Sequence, residues 1–354
     1  MPFGRTAGRL IVLAAGLLFT GAAAAELPKL TVNAVGLNSK TVASTEDEVP
    51  FWTKMVPEAS GGRISANFQP LDLMGLKDST ILRQTKLGVT DFASMDISKM
   101  AGDNPVFEGC DLAGLTLTID AARKACEAWK PVMAEAMAKD WNTRLLAVAS
   151  NPPQVFWCRD KINGLADLKG KKVRVFNKTM TDFINAVGGT TVSLPFAEVV
   201  PALQRGVVDC AVTGSLSGNT AGWPEVTKYI YPMTMGWSIN YQSANQDSWK
   251  RFGPEAEAFF TEQFAKLEDR MWETATKATN EADNCNYGKD PCTMGKKVSM
   301  TEVPVSEADR TLHRDLMQNV VLVEWAKRCG KECAARWNET VGKVVDLKIP
   351  LDKL

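Results

Sequence analysis

The 354-residue sequence contains a single histidine, His313, and no excess of either charge, with 41 basic and 41 acidic side chains. One histidine argues against zinc hydrolases, His-based triads and most acid/base enzymes that work near neutral pH. Balanced charge argues against a nucleic-acid binder, which shows a clustered basic excess, and against a polybasic membrane-surface protein.

Common catalytic and cofactor motifs are also missing. The sequence has no phosphate-binding G-x-x-x-x-G-K-[ST] loop, no H-E-x-x-H and no G-x-G-x-x-G after a predicted strand. The run Gly214–Gly218 is not a nucleophile elbow, because its centre is Leu216 where a serine is needed. We therefore expect neither an enzyme nor a cofactor or metal site.

The first 25 residues have the layout of a secretory signal peptide. Arg5 and Arg9 precede a short apolar run, Leu10–Thr20, and Ala22–Ala25 supply small residues for cleavage before Glu26. A transmembrane anchor is the alternative, but the run is shorter than the roughly 18 residues that a span needs. We expect an exported, soluble protein.

All eight cysteines lie beyond this segment, and an even number in an oxidising compartment favours disulfides. Their order suggests a Cys110–Cys126 pair and a C-terminal set of four, in which Cys285 and Cys292 flank a turn-rich stretch. The connectivity stays open. A four-thiolate metal site is the less favoured alternative, because the spacings are not those of a zinc ribbon. The cysteines are Cys110, Cys126, Cys158, Cys210, Cys285, Cys292, Cys329 and Cys333.

Strand and helix patterns alternate in two separate units. The first has predicted strands at 30–35, 63–68 and 90–95, and the second follows a helical stretch at 119–139. Such alternation is typical of parallel α/β sheets. A helical pattern over 253–284 would be about 45 Å long, which is longer than one unit, so we expect it to run along both.

Three segments in fixed order carry the most specific signal: Asp167–Val175 (DLKGKKVRV), Leu194–Val199 (LPFAEV) and Ala202–Asp209 (ALQRGVVD). Together with Ser60–Ile64 and Leu87–Asp91, they resemble the solute-binding subunit of tripartite ATP-independent periplasmic (TRAP) transporters, of the dicarboxylate-binding type. The resemblance implies an α/β, two-lobed periplasmic binding protein with a ligand cleft between its lobes and a long helix spanning both. Its expected lobes are residues 26–151 with 240–284 (lobe I) and 152–239 with 285–354 (lobe II).

The resemblance also implies the ligand-binding residues. Arg174 matches the arginine that grips the ligand carboxylate, a role that suits a guanidinium because it donates two parallel hydrogen bonds to a carboxylate. A surface arginine is the alternative. Phe196 matches an aromatic residue that packs against ligand, with a core position as the alternative. Thr213 stands where relatives often carry a ligand-binding asparagine.

One departure from the family pattern bears on the ligand. Gln154 stands where many acid-binding relatives carry a second arginine, and aromatic residues follow it. The missing charge argues against a dicarboxylate and favours a monocarboxylate with an apolar, aromatic or neutral polar remainder. Trp157 and Trp237 are candidates to line such a pocket, with packing away from it as the alternative.

The function implied is that of a periplasmic receptor that captures a small organic acid and delivers it to the integral membrane subunits of a TRAP permease. Relatives are mostly monomers, so we expect a monomer without cofactor or nucleic-acid partner. Two other functions stay open on this scaffold: a sensor subunit and an exported enzyme.

Overall fold

The computed structural model describes residues 1–4 and 26–354, so most of the predicted signal peptide lies outside the described residues. Two sheets are flanked by helices. The strands are β1 (Leu30–Gly36), β2 (Ile64–Pro70), β3 (Phe92–Asp96), β4 (Thr143–Ala149), β5 (Gln154–Cys158), β6 (Lys172–Val175), β7 (Thr190–Ser193), β8 (Cys210–Gly214), β9 (Tyr229–Tyr231), β10 (Asn240–Asn245) and β11 (Thr301–Glu302).

The α-helices are α1 (Val56–Ala59), α2 (Asp78–Lys86), α3 (Ile119–Trp141), α4 (Lys178–Ala186), α5 (Val199–Gln204), α6 (Ser217–Thr220), α7 (Gln246–Phe252), α8 (Pro254–Asn286), α9 (Glu307–Leu316), α10 (Leu322–Cys329), α11 (Lys331–Glu339) and α12 (Val341–Val345). Two π-helical segments, Ala43–Glu48 and Phe51–Met55, lead into α1, and a third, Met317–Val321, joins α9 to α10. Within the described residues, no helix combines the length and apolarity that crossing a bilayer requires.

The first sheet has the strand order β2-β1-β3-β10-β4 and defines lobe I. β1 is parallel to β2 and β3, whereas β10 runs antiparallel between β3 and β4. Asn240, the first residue of β10, therefore faces the last residues of its two neighbours, Asp96 and Ala149. This pairing brings chain segments far apart in sequence to one edge of the sheet.

The second sheet has the order β11-β9-β5-β8-β6-β7 and defines lobe II. β6 is parallel to β7 and β8, and β5 is antiparallel to β8 and β9. The chain passes from one sheet to the other at 150–153 and returns at 232–239. This is the two-lobed α/β fold that the sequence predicts.

The long helix α8 connects the two lobes. It has 33 residues and, at 1.5 Å per residue, is about 50 Å long. Near its middle, Glu268 accepts hydrogen bonds from the backbone N–H of Val148 (2.8 Å) and from Lys130 (2.7 Å) in lobe I. At its end, Asn286 donates to the carbonyl of Ser215 (2.7 Å) in lobe II. The predicted helix along both lobes is confirmed.

Aromatic side chains of α8 fix the central strand of lobe I. Phe260 and Phe264 lie 4.7 and 5.5 Å from the ring of Phe92, the first residue of β3, and all three are buried. Burying a phenylalanine side chain stabilises the fold by about 1.5–3 kcal/mol. The packing therefore holds β3 against the helix and fixes the position of Asp96 at its other end.

The cysteines form four disulfides: Cys110–Cys126, Cys158–Cys210, Cys285–Cys292 and Cys329–Cys333. The predicted use of cysteine in disulfides is confirmed. The four-thiolate metal site is excluded because all eight cysteines lie in the described part of the chain and are paired. Cys158 and Cys210 are directly opposite each other in the antiparallel pair of β5 and β8. Their bridge ties together two central strands of lobe II.

The two disulfides Cys158–Cys210 and Cys285–Cys292 offer a matched stability test, because they close loops of different length. The residue separations are 52 and 7. Chain entropy predicts that replacing both cysteines of a pair by alanine lowers the free energy of unfolding by about 4 kcal/mol for the first and about 2.5 kcal/mol for the second. Urea unfolding followed by tryptophan fluorescence measures both. A larger loss for the short loop would contradict this expectation.

Candidate functional site

A cleft between the lobes contains about 540 Å³ of unfilled space, part of it open to solvent. Of the fourteen residues around it, eleven are polar and three are apolar. They are Leu37, Asn38, Thr41, Asp96, Lys99, Asn151, Gln154, Arg174, Phe176, Phe196, Thr213, Ser217, Ser238 and Asn240.

The strand directions explain why these residues meet. Asp96 is the last residue of β3 and Leu37 follows β1, so both lie at the carboxyl edge of the parallel strands of lobe I. Arg174 and Thr213 lie near the carboxyl ends of β6 and β8, which are parallel neighbours in lobe II. Ligand sites of parallel α/β sheets form at this edge. Here the two carboxyl edges line the same cleft.

Arg174 supplies a buried cation to the cleft, with only 1% of its surface exposed. Its Nε and Nη2 donate to the carbonyl oxygen of Leu194 at 3.1 and 3.0 Å, and its Nη1 donates to that of Val212 at 2.8 Å. The guanidinium carbon lies 5.3 Å from the ring centroid of Phe176. These contacts fix the orientation of the guanidinium.

Gln154, Thr213 and Phe196 line the same cleft as Arg174. Gln154 begins β5, opposite Gly214, and its side-chain amide donates to the carbonyl of Pro152 at 2.9 Å. Phe196 opens a short 3₁₀ turn and is half-buried. The structure thus brings four of the six predicted residues together around one cavity.

The two predicted tryptophans do not line the cleft. Side chains alternate along a strand, so Trp157, three residues after Gln154 in β5, points to the opposite face of the sheet. There it is fully buried, 6.1 Å from the ring of Trp223. The indole of Trp237 donates to the carbonyl of Thr116 at 3.1 Å, in the buried junction of the crossing segments. Both tryptophans are packing residues.

Sequence reasoning missed the contribution of lobe I to the cleft, where Asp96 and Lys99 lie. Asp96 accepts hydrogen bonds at Oδ1 from the backbone N–H (3.0 Å) and hydroxyl (2.6 Å) of Ser98, and at Oδ2 from the hydroxyl of Ser238 (2.6 Å). Asn151 in turn donates to the carbonyl of Ser238 at 2.8 Å. This chain of contacts links β3 to both crossing segments. The rule that ligands meet the carboxyl ends of parallel strands could have found Asp96.

The sequence model of the bacterial extracellular solute-binding proteins, family 7, matches residues 38–321. The chain belongs to this family. An uncharacterised protein of Haemophilus influenzae is 24% identical over 280 residues, which cover 77% of this chain and 81% of that relative.

Two solved structures share the fold at low sequence identity. An extracytoplasmic solute receptor of Bordetella pertussis that binds pyroglutamic acid has a TM-score of 0.75 at 20% identity, covering 88% of this chain and 98% of its own. A TRAP periplasmic solute-binding protein of Shewanella oneidensis with bound succinate has a TM-score of 0.77 at 18% identity, with the same coverage. These likenesses support the two-lobed architecture.

The single histidine of this family-7 chain does not line the cleft. His313 is buried, with a ring nitrogen 2.9 Å from the carbonyl oxygen of Thr234 and its ring against Phe183. Burial lowers the pKa of His313, which favours the neutral ring. The side chain is a packing residue of lobe II.

A buried carboxyl group holds the lobe I loop that borders the cleft. Glu48 accepts hydrogen bonds from the backbone N–H of Leu37 (2.7 Å), from Gln242 (2.8 Å) and from the hydroxyl of Ser94. Burial raises the pKa of Glu48 to about 7 although these donors oppose the shift. The loop is therefore held by a carboxyl group whose ionisation is disfavoured by burial.

The raised pKa of Glu48 predicts a loss of stability with rising pH. The ordinary pKa is 4.5, so between pH 4.5 and about 7 the folded protein holds a proton that the unfolded chain has released. The free energy of unfolding therefore falls across this window, by up to about 1.4 kcal/mol per pH unit for this group. Buried Glu108 and Asp111, whose pKa values are also raised to about 7, act in the same direction.

We expect Glu48→Gln to reduce this fall by about 2 kcal/mol between pH 5 and pH 8, measured by chemical unfolding at both pH values. Glu262→Gln, at an exposed position of α8, removes the same charge and serves as the control. A pH dependence of the Glu48 variant equal to that of the control would disprove the assignment.

Proposed function

We propose that this chain is the extracytoplasmic receptor of a TRAP transporter and that it binds a small organic acid through Arg174. The observation that carries the proposal is a buried guanidinium, oriented by two backbone carbonyls, at the edge of a cleft between two lobes. A guanidinium matches the geometry of a carboxylate better than any other side chain does. The receptors of similar fold from Bordetella pertussis and Shewanella oneidensis bind pyroglutamic acid and succinate, which are carboxylates.

Contacts between the lobes support a closed, water-excluding complex. The hydroxyl of Thr220 in lobe II donates to the carbonyl of Lys40 in lobe I at 2.8 Å. Val42 belongs to one buried apolar cluster with Leu216 and with Cys285 at the end of α8. These contacts hold the two lobes together beside the cleft. Excluding water there strengthens the attraction between Arg174 and a carboxylate, since the effective dielectric constant falls.

The proposed ligand is a monocarboxylate. Gln154 contributes a neutral amide next to Thr213 in the lobe II lining. A second arginine at this position would instead attract a second carboxylate of the ligand. The mostly polar lining fits a neutral polar remainder, one of the three types that the sequence left open. The aromatic contribution is confined to Phe176 and Phe196.

In this role the protein works in the periplasm as a monomer. It captures the acid, closes on it and presents it to the integral membrane subunits of the permease. The chain itself catalyses no reaction, and binding and release are its whole contribution. The predicted signal peptide and the disulfides both suit an oxidising compartment outside the cytoplasm.

Arg174→Ala tests this function. We expect it to weaken carboxylate binding by roughly 3–5 kcal/mol, as for removal of one partner of a buried charge pair. That is about two to four decades in Kd. Arg174→Lys keeps the charge and loses the planar fork, so we expect an intermediate loss. Isothermal titration with a panel of carboxylates and their uncharged amides measures both.

Arg205→Ala, at an exposed position of the same lobe, is the matched control and leaves binding unchanged. Carboxylate binding by Arg174→Ala equal to that of wild type would refute the assignment, as would wild-type binding of the uncharged amides alone.

A further inference from the structure

The cleft that holds Arg174 also holds a carboxylate, that of Asp96 on the opposite lobe. An acidic side chain in such a cleft weakens the binding of an anion, because like charges repel across a medium of low dielectric constant. Asp96 is nevertheless only 4% exposed, and it lines the cavity rather than the protein surface. A contact with a part of the ligand other than its carboxylate would offset this cost.

The hydrogen bonds of Asp96 leave room for such a contact. A carboxylate has about four acceptor positions. Ser98 occupies two at Oδ1, and the hydroxyl of Ser238 occupies one at Oδ2. Among the residues that the structure describes, no other donor reaches Oδ2, so one position remains there. The three donors also fix the orientation of the carboxylate, so it meets the ligand without rearrangement.

We propose that Asp96 selects the ligand by accepting a hydrogen bond from it. The ligand then places its carboxylate at Arg174 and a hydroxyl or amide N–H at Asp96, where a second carboxylate is rejected. This inference rests on the proposed function, since the orientation of the ligand follows from the carboxylate at Arg174.

Neutral polar residues of the cleft agree with this selection. Neutral groups on the same side, Ser238 and Asn240, can both donate and accept, which suits hydroxyl groups of a ligand.

The first experiment measures the selectivity of the wild-type protein by isothermal titration with matched probes. Pyroglutamate is compared with cyclopentanecarboxylate, which has a similar ring and no amide. Gluconate is compared with hexanoate, which has no hydroxyls, and with glucarate, which has a second carboxylate. We expect a preference of at least about tenfold for the donor-bearing monoacid in one of these sets, because a buried acceptor left unpaired is costly. Equal affinities within both sets would overturn the proposal.

The second experiment uses Asp96→Asn, which keeps an acceptor oxygen for Ser98 and removes the charge. We expect it to narrow the preference for gluconate over glucarate by about tenfold, mainly through tighter glucarate binding. Asp103→Asn, an exposed acid of lobe I, removes the same charge outside the cleft and leaves the preference unchanged. An unchanged preference in Asp96→Asn would overturn the proposal, and if that variant does not fold, the wild-type comparison decides alone.

The same data separate this inference from the proposed function. If the carboxylates bind, are lost in Arg174→Ala and show no preference for a donor group, only the role of Asp96 fails. If no carboxylate of the panel binds the wild-type protein, the receptor function fails and the selection by Asp96 fails with it.

Discussion

The architecture of lobe II depends on the burial of one guanidinium. Burying a cation is costly unless its N–H groups find acceptors and its orientation is fixed. Arg174 meets this condition through carbonyl oxygens at Leu194, just after β7, and at Val212 in β8. β6 must therefore lie between β7 and β8, as the strand order has it. The Cys158–Cys210 disulfide extends the constraint, because it ties β8 to β5 on its other side.

Lobe II buries a cation, whereas lobe I uses buried carboxyl groups. These carboxyl groups accept hydrogen bonds from backbone N–H groups and so hold the segments that carry them. Glu48 accepts from the N–H of Leu37, Asp111 from that of Trp237 (2.8 Å), and Glu108 from those of Lys178 (2.9 Å) and Thr179 (3.0 Å). Burial raises the pKa of each to about 7, which costs stability at neutral pH. Each anchored segment borders the cleft or joins the lobes. The fold thus gives up stability to fix the geometry around the cavity.

The sequence could predict the parts of this protein that depend on local pattern. Strand and helix alternation gave the α/β fold, the apolar spacing of α8 gave a helix along both lobes, and the ordered motifs led to Arg174. The pairing of Cys158 with Cys210 depends instead on β5 and β8 being neighbours, although 52 residues separate them. Asp96 meets Ser238 because β10 pairs with β3 across more than 140 residues. Such contacts depend on which strands are neighbours in a sheet, and no local sequence pattern shows that. Trp157 lies away from the cleft for a simpler reason, since the alternation of β5 already separates it from Gln154.

The two lobes fix groups of opposite charge by different means, so the two ends of the cleft favour different parts of a ligand. Backbone carbonyls fix the cation of lobe II, whereas serine donors, one of them on a crossing segment, fix the carboxylate of lobe I. In the proposed complex, an acid that enters with its carboxylate toward Asp96 meets repulsion there and places no carboxylate at Arg174. Only one orientation satisfies both lobes, and it does so only when the lobes are close together. Ser238 lies in the segment that returns the chain to lobe I, so the carboxylate that we propose to select the ligand is also bonded to a segment that crosses between the lobes. In the proposed complex, the hydrogen bond that orients Asp96 therefore also ties lobe I to this crossing segment.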